Sequence, residues 1–587
     1  MQGIEAFVPG VVSIDNSLMG SNPNAKPELN IRGRATFEGK ANMPVFVVDG
    51  SIVTSDFVFD MDMNDIQSVT VLRDASATAL YGAKGSAGVV VITTRPMEGG
   101  KLKLRYNGTI RSSIPDLSDY HLLNAEQKLE YERLAGVFED DNPEERYKKE
   151  LEYAAIREQI ARGVNTDWMA KPLRVGLSQN HNINIDGGDN YARYSLGLRY
   201  GKDQGVMRGS GRDRLNTTFK LSYSKDELFF ISNLARVSFV NGQDSPYGDF
   251  KSFVDANPYD SPYDKDGNLR HLLTHKLINP LYEATAGNVS RSSDFDFFDT
   301  LTFRMWLADF RIDADATLQR GKSERINFVS PRSGKELEKA KLSQRGSLSE
   351  TFSKSSDFSG KVMLSYNKNV LEDLFLSAMA GSNLEYRTYQ MSRYSSVGYY
   401  SDKLPDPGFS SGYPAGGRPV SEDRIIAGVG FFANLNTIYK DKYFLDFIYR
   451  YEGSSLFGKN SRFAPFWSAG IGWNIHKEPF MQDLNVNLLK LRLSTGYLGN
   501  VSFSPYQAMT TYRYGEDLTY VKGAGAVPIT IGNPDLRWER TQNNNIGLDL
   551  NVFDNRWDLS LDLYLKITDN LLLDVTKAPS VGVATAK

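Results

Sequence analysis

Near the C-terminal end, Trp557, Leu559, Leu561, Leu563, Leu565 and Ile567 alternate with Asp558, Ser560, Asp562, Tyr564, Lys566 and Thr568. The first set is wholly apolar and the second is polar but for Tyr564. A period of two predicts a strand with one greasy and one wet face. The same alternation runs through Ala192–Tyr200, Leu215–Tyr223, Phe310–Leu318, Tyr443–Tyr451 and Ile546–Val552. From position 101 onward the pattern predicts about fifteen strands of this kind.

The joins between these strands alternate in length. Short ones fall at Gly187–Asn190, Ser224–Glu227, Tyr439–Lys442 and Phe553–Arg556, and long ones near 112–174, 241–293, 321–355, 387–423 and 499–540. A soluble sandwich has no reason to gather its long loops at one end. An outer-membrane barrel has short turns on one side and long loops on the other. One long join, 124–162, is rich in Glu, Lys, Arg, Leu and Ala. It predicts a helical insertion starting at Asn124-Ala125-Glu126-Gln127, divided at Pro143 and stopped at Gly163.

Residues 1–98 have another texture. Pro44–Val48 is a short apolar strand closed by the turn Asp49-Gly50, and Gln67–Leu72 is a second strand. Asp74–Leu80 predicts a short capped helix ended by Tyr81-Gly82, and Gly88–Thr94 a buried strand. This leading unit is therefore expected to be a small α/β domain.

Composition narrows the function classes. Lys and Arg number 68 against 71 Asp and Glu, a net charge of −3, which supplies no bulk field for nucleic acid. With no cysteine, disulfides, thiolate zinc sites and cysteine nucleophiles are excluded. No stretch approaches the ~18 consecutive apolar residues of a membrane helix, a test that strands do not have to pass. Met1–Glu5 has neither the basic nor the apolar region of a signal peptide, and residues are expected upstream of it.

Candidate chemistry is sparse. Gly82–Gly88 lacks the spacing of a phosphate loop, and Asp264–Asn268 reads as a surface turn rather than a calcium loop. The five histidines, His121, His181, His271, His275 and His476, are scattered, and no nucleophile–base arrangement stands out. No enzyme, metal or cofactor is expected. Arg32, Asp49, Arg73 and Asp74 are candidates for polar contacts within or around the leading domain, with Asp74 equally suited to capping a helix. Gly33, Gly50, Gly82 and Gly88 suit tight turns. The Tyr- and Ser-rich stretches Ser395–Tyr400, Pro405–Tyr413 and Tyr506–Tyr520 are candidate ligand contacts in the long loops.

Several segments match one family in order along almost the whole chain. Ile31-Arg32-Gly33, Pro44–Gly50 and Val69–Thr94 (VTVLRDASATALYGAKGSAGVVVITT) resemble its plug signature. Asn165-Thr166-Asp167-Trp168, Glu452–Asn460, Leu489–Asn500 and Asn533–Thr541 (NPDLRWERT) resemble its barrel segments. The chain thus resembles the SusC/RagA-type TonB-linked outer-membrane proteins of Bacteroidota.

That resemblance implies an all-β membrane fold, a large antiparallel transmembrane β-barrel with an N-terminal α/β plug domain inside its lumen. It places the plug at 1–98 and the barrel at 99–587, with about fifteen of the family's 22 strands present. The signal peptide, TonB box and final strands would then lie outside this stretch. It assigns structural or gating roles to Arg32, Gly33, Asp49, Gly50, Arg73, Asp74, Tyr81, Gly82 and Gly88. The plug is expected to be held by hydrogen bonds and ion pairs in a wet lumen rather than by a dry core. The implied activity is TonB-dependent import of oligosaccharides or oligopeptides across the Gram-negative outer membrane. A SusD-like surface lipoprotein and the TonB–ExbB–ExbD complex are the implied partners, with outer-membrane lipid around the barrel. A secreted β-rich glycan-binding or adhesion protein is the alternative, and the Val69–Thr94 signature argues against it.

Overall fold

The computed structural model describes residues 11–14, 22–25, 28–31, 43–72, 81–82, 85, 87–225, 228–481, 484–500, 505–520, 523–571, 575–576, 578, 580 and 585–586. In the leading domain β1 (Val11–Ile14) pairs with β2 (Glu28–Ile31). β3 (Val45–Val48), β4 (Ser51–Val53), β5 (Ile66–Leu72) and β6 (Val89–Thr94) form a four-stranded sheet in the order β4-β3-β6-β5, with β3 and β6 parallel. Asp49 and Gly50, at φ 48° and 93°, make the two-residue turn from β3 to β4. Positive φ at both positions is what such a hairpin needs, and Gly supplies it without a Cβ penalty. Leu29, Ile31, Phe46, Val48, Val53, Val58, Val90 and Ile92 are the buried core of this domain. The expected helix at 74–80 lies outside the described residues.

The rest of the chain builds one sheet of sixteen strands. They are β7 (Gly100–Ser113), β8 (Gly176–Gly188), β9 (Ala192–Gln204), β10 (Gly211–Lys225), β11 (Phe229–Gln243), β12 (Val289–Leu307), β13 (Phe310–Val329), β14 (Ser347–Leu371), β15 (Leu374–Tyr399), the short β16 (Ser410–Gly412), β17 (Val420–Tyr439), β18 (Tyr443–Ser454), β19 (Phe463–Asn474), β20 (Val486–Asn500), β23 (Glu539–Val552) and β24 (Trp557–Asp569). A separate hairpin, β21 (Thr511–Tyr520) and β22 (Gly523–Thr530), sits in the connection before β23. With β16 off the main path, fifteen strands follow one another antiparallel in chain order, and among the described residues β7 and β24 at its two ends each pair on one side only.

Long connections, 114–175, 244–288, 330–346, 400–419 and 501–538, gather at one end of the strands. The two- and three-residue turns 189–191, 308–309, 372–373 and 440–442 gather at the other, and the expected turn Ser224–Glu227 lies partly outside the described residues. β13, β14 and β15 run for 20, 25 and 26 residues, so the connections between them are shorter than the alternation alone suggests. The added length mixes polar runs, as in Ser349-Glu350-Thr351 of β14, with a buried apolar cluster of Phe328, Leu348 and Tyr399. Beyond the lipid a strand needs a hydrogen-bonding neighbour but no greasy side.

Within the wall the two faces separate cleanly. On β10, Leu215, Phe219, Leu221 and Tyr223 are exposed, while Asn216 and Ser222 are buried. On β24 the whole Trp557–Ile567 apolar set is exposed, whereas Asp562 accepts from Arg492 at 3.2 Å and Ser560 donates to Asp549 at 2.8 Å. Apolar side chains outside and polar ones inside is the arrangement lipid demands. Aromatic pairs ring the short-turn end: Tyr439–Tyr443 and Tyr443–Trp473 at 6.4 Å, Phe310–Tyr366 at 4.9 Å and Tyr223–Phe229 at 5.8 Å. Such belts sit at the membrane–water interface. On β18 the exposed Tyr443 and Tyr451 stand eight residues apart. At ~3.4 Å per residue and a tilt of about 40° that spans roughly 21 Å, near the ~25 Å apolar band of these walls. No helix among the described residues is long and apolar enough to cross a membrane.

The helical insertion comprises Ala125–Leu134 and Pro143–Ala161. Asn124 and Gln127 close a reciprocal capping box, and Pro143 opens the second helix at its first turn, where its missing N–H costs nothing. The insertion rests on the 244–288 connection, where the buried Tyr259 hydroxyl donates to Glu132 at 2.8 Å. Burial and that carboxylate push the Tyr259 phenol well above its usual range.

Phe447, midway along the exposed face of β18, tests the lipid assignment. Phe447→Arg is expected to destabilise the folded protein in lipid vesicles by ~2–4 kcal/mol, whereas Asn434→Ser on the inner face of β17 changes it by less than about 1 kcal/mol. Urea titrations of the two variants check this.

Candidate functional site

The leading domain lies against the polar inner face of the sheet, and the segment between β4 and β5 makes the densest contact. Thr54 caps the helix Ser55–Phe59 by accepting from Phe57 N at 3.3 Å, and Asp62 starts the next turn by accepting from Asn64 N at 2.9 Å. Between these capped turns Asp60 projects into the wall. Its carboxylate accepts from Arg212 Nη2 at 3.1 and 3.0 Å and from Arg214 Nη1 at 3.1 Å. Its backbone oxygen accepts from Arg199 at 2.7 Å, Arg236 at 3.1 Å and Asn216 at 3.3 Å. Asn182 donates to Asp62 at 2.6 Å, and Arg214 also reaches Asp203 at 2.6 Å. Four arginines from β9, β10 and β11 thus converge on one carboxylate-bearing residue that is 5% exposed. Removing one partner of such a buried pair strands the other charges, typically at a cost of ~3–5 kcal/mol.

Asp65, on the same segment, is also perturbed. Burial, then the neighbouring Asp62 carboxylate, pushes its carboxyl above the usual range, against the pull of Lys220, Arg199 and Arg105.

Three further contacts seat the domain. Ser51, Thr300 and Thr317 form a buried hydroxyl triangle with edges of 3.0, 2.9 and 3.3 Å, beside Gln319, which donates to the Ile52 oxygen at 3.0 Å. Asp49 accepts from Thr94 N and Thr94 Oγ1 at 2.8 and 2.6 Å, and Lys220 of β10 donates to that same hydroxyl at 2.8 Å. Asn22 and Asn24 donate to Asp244 at 2.8 and 3.2 Å, toward the long-connection end.

The seat is not wholly wet, which corrects the expectation of polar contact alone. Phe298 of β12 joins the core of the leading domain, with Phe57 at 4.8 Å, and Arg236 lies over the Phe57 ring at 4.3 Å. An inward aromatic at that position turns one patch of the lumen wall into an extension of the domain's own core.

The structure places Asp49 and Gly50 in the β3–β4 turn, and Gly88 at the entrance to β6 against Ile31. Gly82, at φ 67°, brings the backbone beside the Arg450–Glu452 pair of β18; a Cβ there would lie 2.6 Å from Glu452 Oε2 and 2.8 Å from Arg450 Nε. Burial pushes the adjacent Tyr81 phenol above its usual range. Arg32, Gly33, Arg73 and Asp74 lie outside the described residues. Sequence reasoning missed Asp60 and its arginines. The available signal was Arg212-Asp213-Arg214, two arginines on the polar face of a strand whose other face is Leu215 and Phe219.

Comparison with known proteins agrees with this geometry. Residues 2–89 match the family described as TonB-dependent Receptor Plug Domain, and residues 159–585 match TonB dependent receptor-like, beta-barrel. A TonB-dependent receptor of Formosa agariphila is 25% identical over 609 residues, covering 100% of this chain and 54% of the relative. TonB-dependent receptor SusC of Bacteroides thetaiotaomicron is 25% identical over 620 residues, covering 97% and 57%. The chain therefore spans about half the length of these curated relatives. In fold it is similar to the RagAB peptide importer in the open-open state, with a TM-score of 0.80, 21% identity, and coverage of 100% of this chain and 67% of that one. Ferric citrate transporter FecA in the unliganded form gives a TM-score of 0.55 at 11% identity, with coverage of 97% and 67%.

Two outcomes follow from the seat. A carboxyl whose pKa is raised on folding binds more protons in the folded state, so its contribution to stability falls as pH rises through the shifted range. Asp65→Asn is therefore expected to raise the thermal midpoint for protease protection of the leading domain at pH 7, with the gain shrinking toward pH 4. Gly82→Val forces a β-branched residue into the left-handed region, at ~1–2 kcal/mol before any clash, and should lower that midpoint.

Proposed function

The chain belongs to the TonB-dependent receptor family, and from that membership we propose that it works as an energised importer of oligosaccharides or oligopeptides. The carrying observation is a globular domain seated on the polar inner face of a wall whose outer face is apolar. A secreted binding protein would hold that outer face in water, where large apolar patches are rarely tolerated. In lipid the free edges of β7 and β24 would each leave a row of unsatisfied backbone groups, so we infer that further strands close the ring.

In this reading residues 1–98 are the plug and the wall after them is the barrel. The long connections face outward from the cell and meet a SusD-like lipoprotein that delivers the substrate. The outer membrane holds no nucleotide pool, so the work of moving the plug comes from the inner membrane through TonB–ExbB–ExbD. The hydroxyl- and carboxylate-lined inner face suits hydrated polar cargo, and Asp49, Arg32, Arg73 and Asp74, with the signature glycines and Tyr81, act in holding or releasing the plug. No chemical conversion is part of this role.

Deleting the gene is expected to abolish uptake of one labelled oligosaccharide or oligopeptide source, with restoration by the full-length protein only in a strain with functional TonB. Undiminished uptake of every such source would overturn the reading.

A further inference from the structure

We propose that the passage through this barrel runs between the plug and the wall of β8–β11, and that Asp60 is the residue that closes it. The proposal rests on the import reading above. Two polar cavities flank the segment that carries Asp60. The outer one, about 540 Å³, opens toward the long connections and is lined by Asn24, Asp244, Asp294, Ser323 and Ser355. The inner one, about 290 Å³, lies toward the short turns and is lined by Asp65, Arg105, Asn184, Asp186 and Lys220. Among the described residues Asp60 is the one that lines both. Arg212, which its carboxylate engages, lines the outer cavity, and Arg199 and Arg236, which its backbone oxygen engages, line the inner one. The clamp is therefore the partition between two water-accessible chambers.

Within the plug, the segment that carries Asp60 is only loosely tied to its own sheet. Residues 60–65 belong to neither β4 nor β5 and carry no ladder bonds. Their backbone-to-backbone bonds are local, Asp60 N to Asp56 O at 3.0 Å, Met61 N to Val58 O at 3.1 Å and Asp65 N to Asp62 O at 3.0 Å, apart from Arg95 N to Asp65 O at 2.8 Å, and the Asp60 oxygen is held by the wall side chains Arg199, Arg236 and Asn216. Their apolar tether is the half-buried Met61. Just upstream, Phe57 and Val58 are held in the core shared with Phe298 and act as the fixed point about which 60–65 can swing. At β4 and at Phe298 the plug meets the wall through its sheet and core, and displacement there would break strand pairing or the Phe298 contact.

The clamp is also imperfectly satisfied. Arg212 Nε and Arg214 Nε are buried without a hydrogen-bond partner among the described residues. A buried donor left unmade keeps its desolvation penalty, and water entering on opening relieves it. Asp60 thus holds the gate by charge while its surroundings favour release once it is pulled.

The test uses cysteine-free full-length protein in planar bilayers. It reads KCl conductance and the labelling of Asn64→Cys, inside the inner chamber, by a membrane-impermeant maleimide added on the long-connection side. Asp60→Ala is expected to raise the labelling rate about tenfold or more and to produce a conductance. Asp549→Ala, which removes a comparable carboxylate–arginine pair between β20 and β23 away from the plug, is expected to leave both unchanged. Oxidising Asp62→Cys with Asn182→Cys in the Asp60→Ala background should close the conductance until reductant is added, which an unfolded plug could not do. Wild-type labelling and conductance in Asp60→Ala, an equal opening in Asp549→Ala, or a conductance indifferent to the disulfide would overturn the gate. These readouts need no nutrient and no energy source, so they stand or fall separately from the import reading.

Discussion

Inside a bilayer no water is available to satisfy a backbone N–H or C=O, so a chain that crosses it without helices must pair every strand with neighbours. The rest of the molecule follows from that requirement. Pairing fixes a period of two, one face of each strand then meets lipid, and the other is free to be polar. On β10 this puts Leu215, Phe219 and Leu221 outside and leaves Arg212, Arg214, Asn216 and Lys220 to face the plug. A plug seated in such a lumen finds hydrogen-bond donors and carboxylates on most sides, and its hold is built from contacts that water can replace.

The hold is nevertheless uneven. Toward β12 and β13 it is compact, with the Ser51–Thr300–Thr317 hydroxyls and the Phe57–Phe298 pair beside it. Toward β8–β11 it is ionic and loosely tied to the plug's own sheet, with Asp60 carrying the contact. In the proposed gate a load on the plug parts the second side before the first, because the segment that carries Asp60 lacks ladder bonds.

Much of the wall was legible in the sequence. The Trp557–Thr568 alternation, the short turns Tyr439–Lys442 and Phe553–Arg556 and the Asn124–Gln127 capping box each have a local cause, and each stands where the pattern put it. The Asp49-Gly50 turn was legible for the same reason, since its backbone geometry is set by two residues. The strand ends of β13–β15 were not, because polar runs such as Gly321–Arg325 and Ser353–Asp357 break the apolar alternation while the pairing persists. The Asp60 clamp was not legible either. Its partners stand 139 to 176 positions away in the chain, and an inward arginine on a lumen face looks the same whether it meets water or a plug.

The central claim, that the leading domain lies inside the wall in the membrane, is tested most directly by introducing Ser51→Cys and Thr300→Cys into cysteine-free full-length protein in native outer membranes. Ser51 Oγ and Thr300 Oγ1 stand 3.0 Å apart in the seated plug. The account predicts that mild oxidation joins the two cysteines into an intramolecular disulfide in nearly all of the membrane-embedded protein. Two cysteines that stay unjoined and both react with a water-soluble maleimide would contradict it.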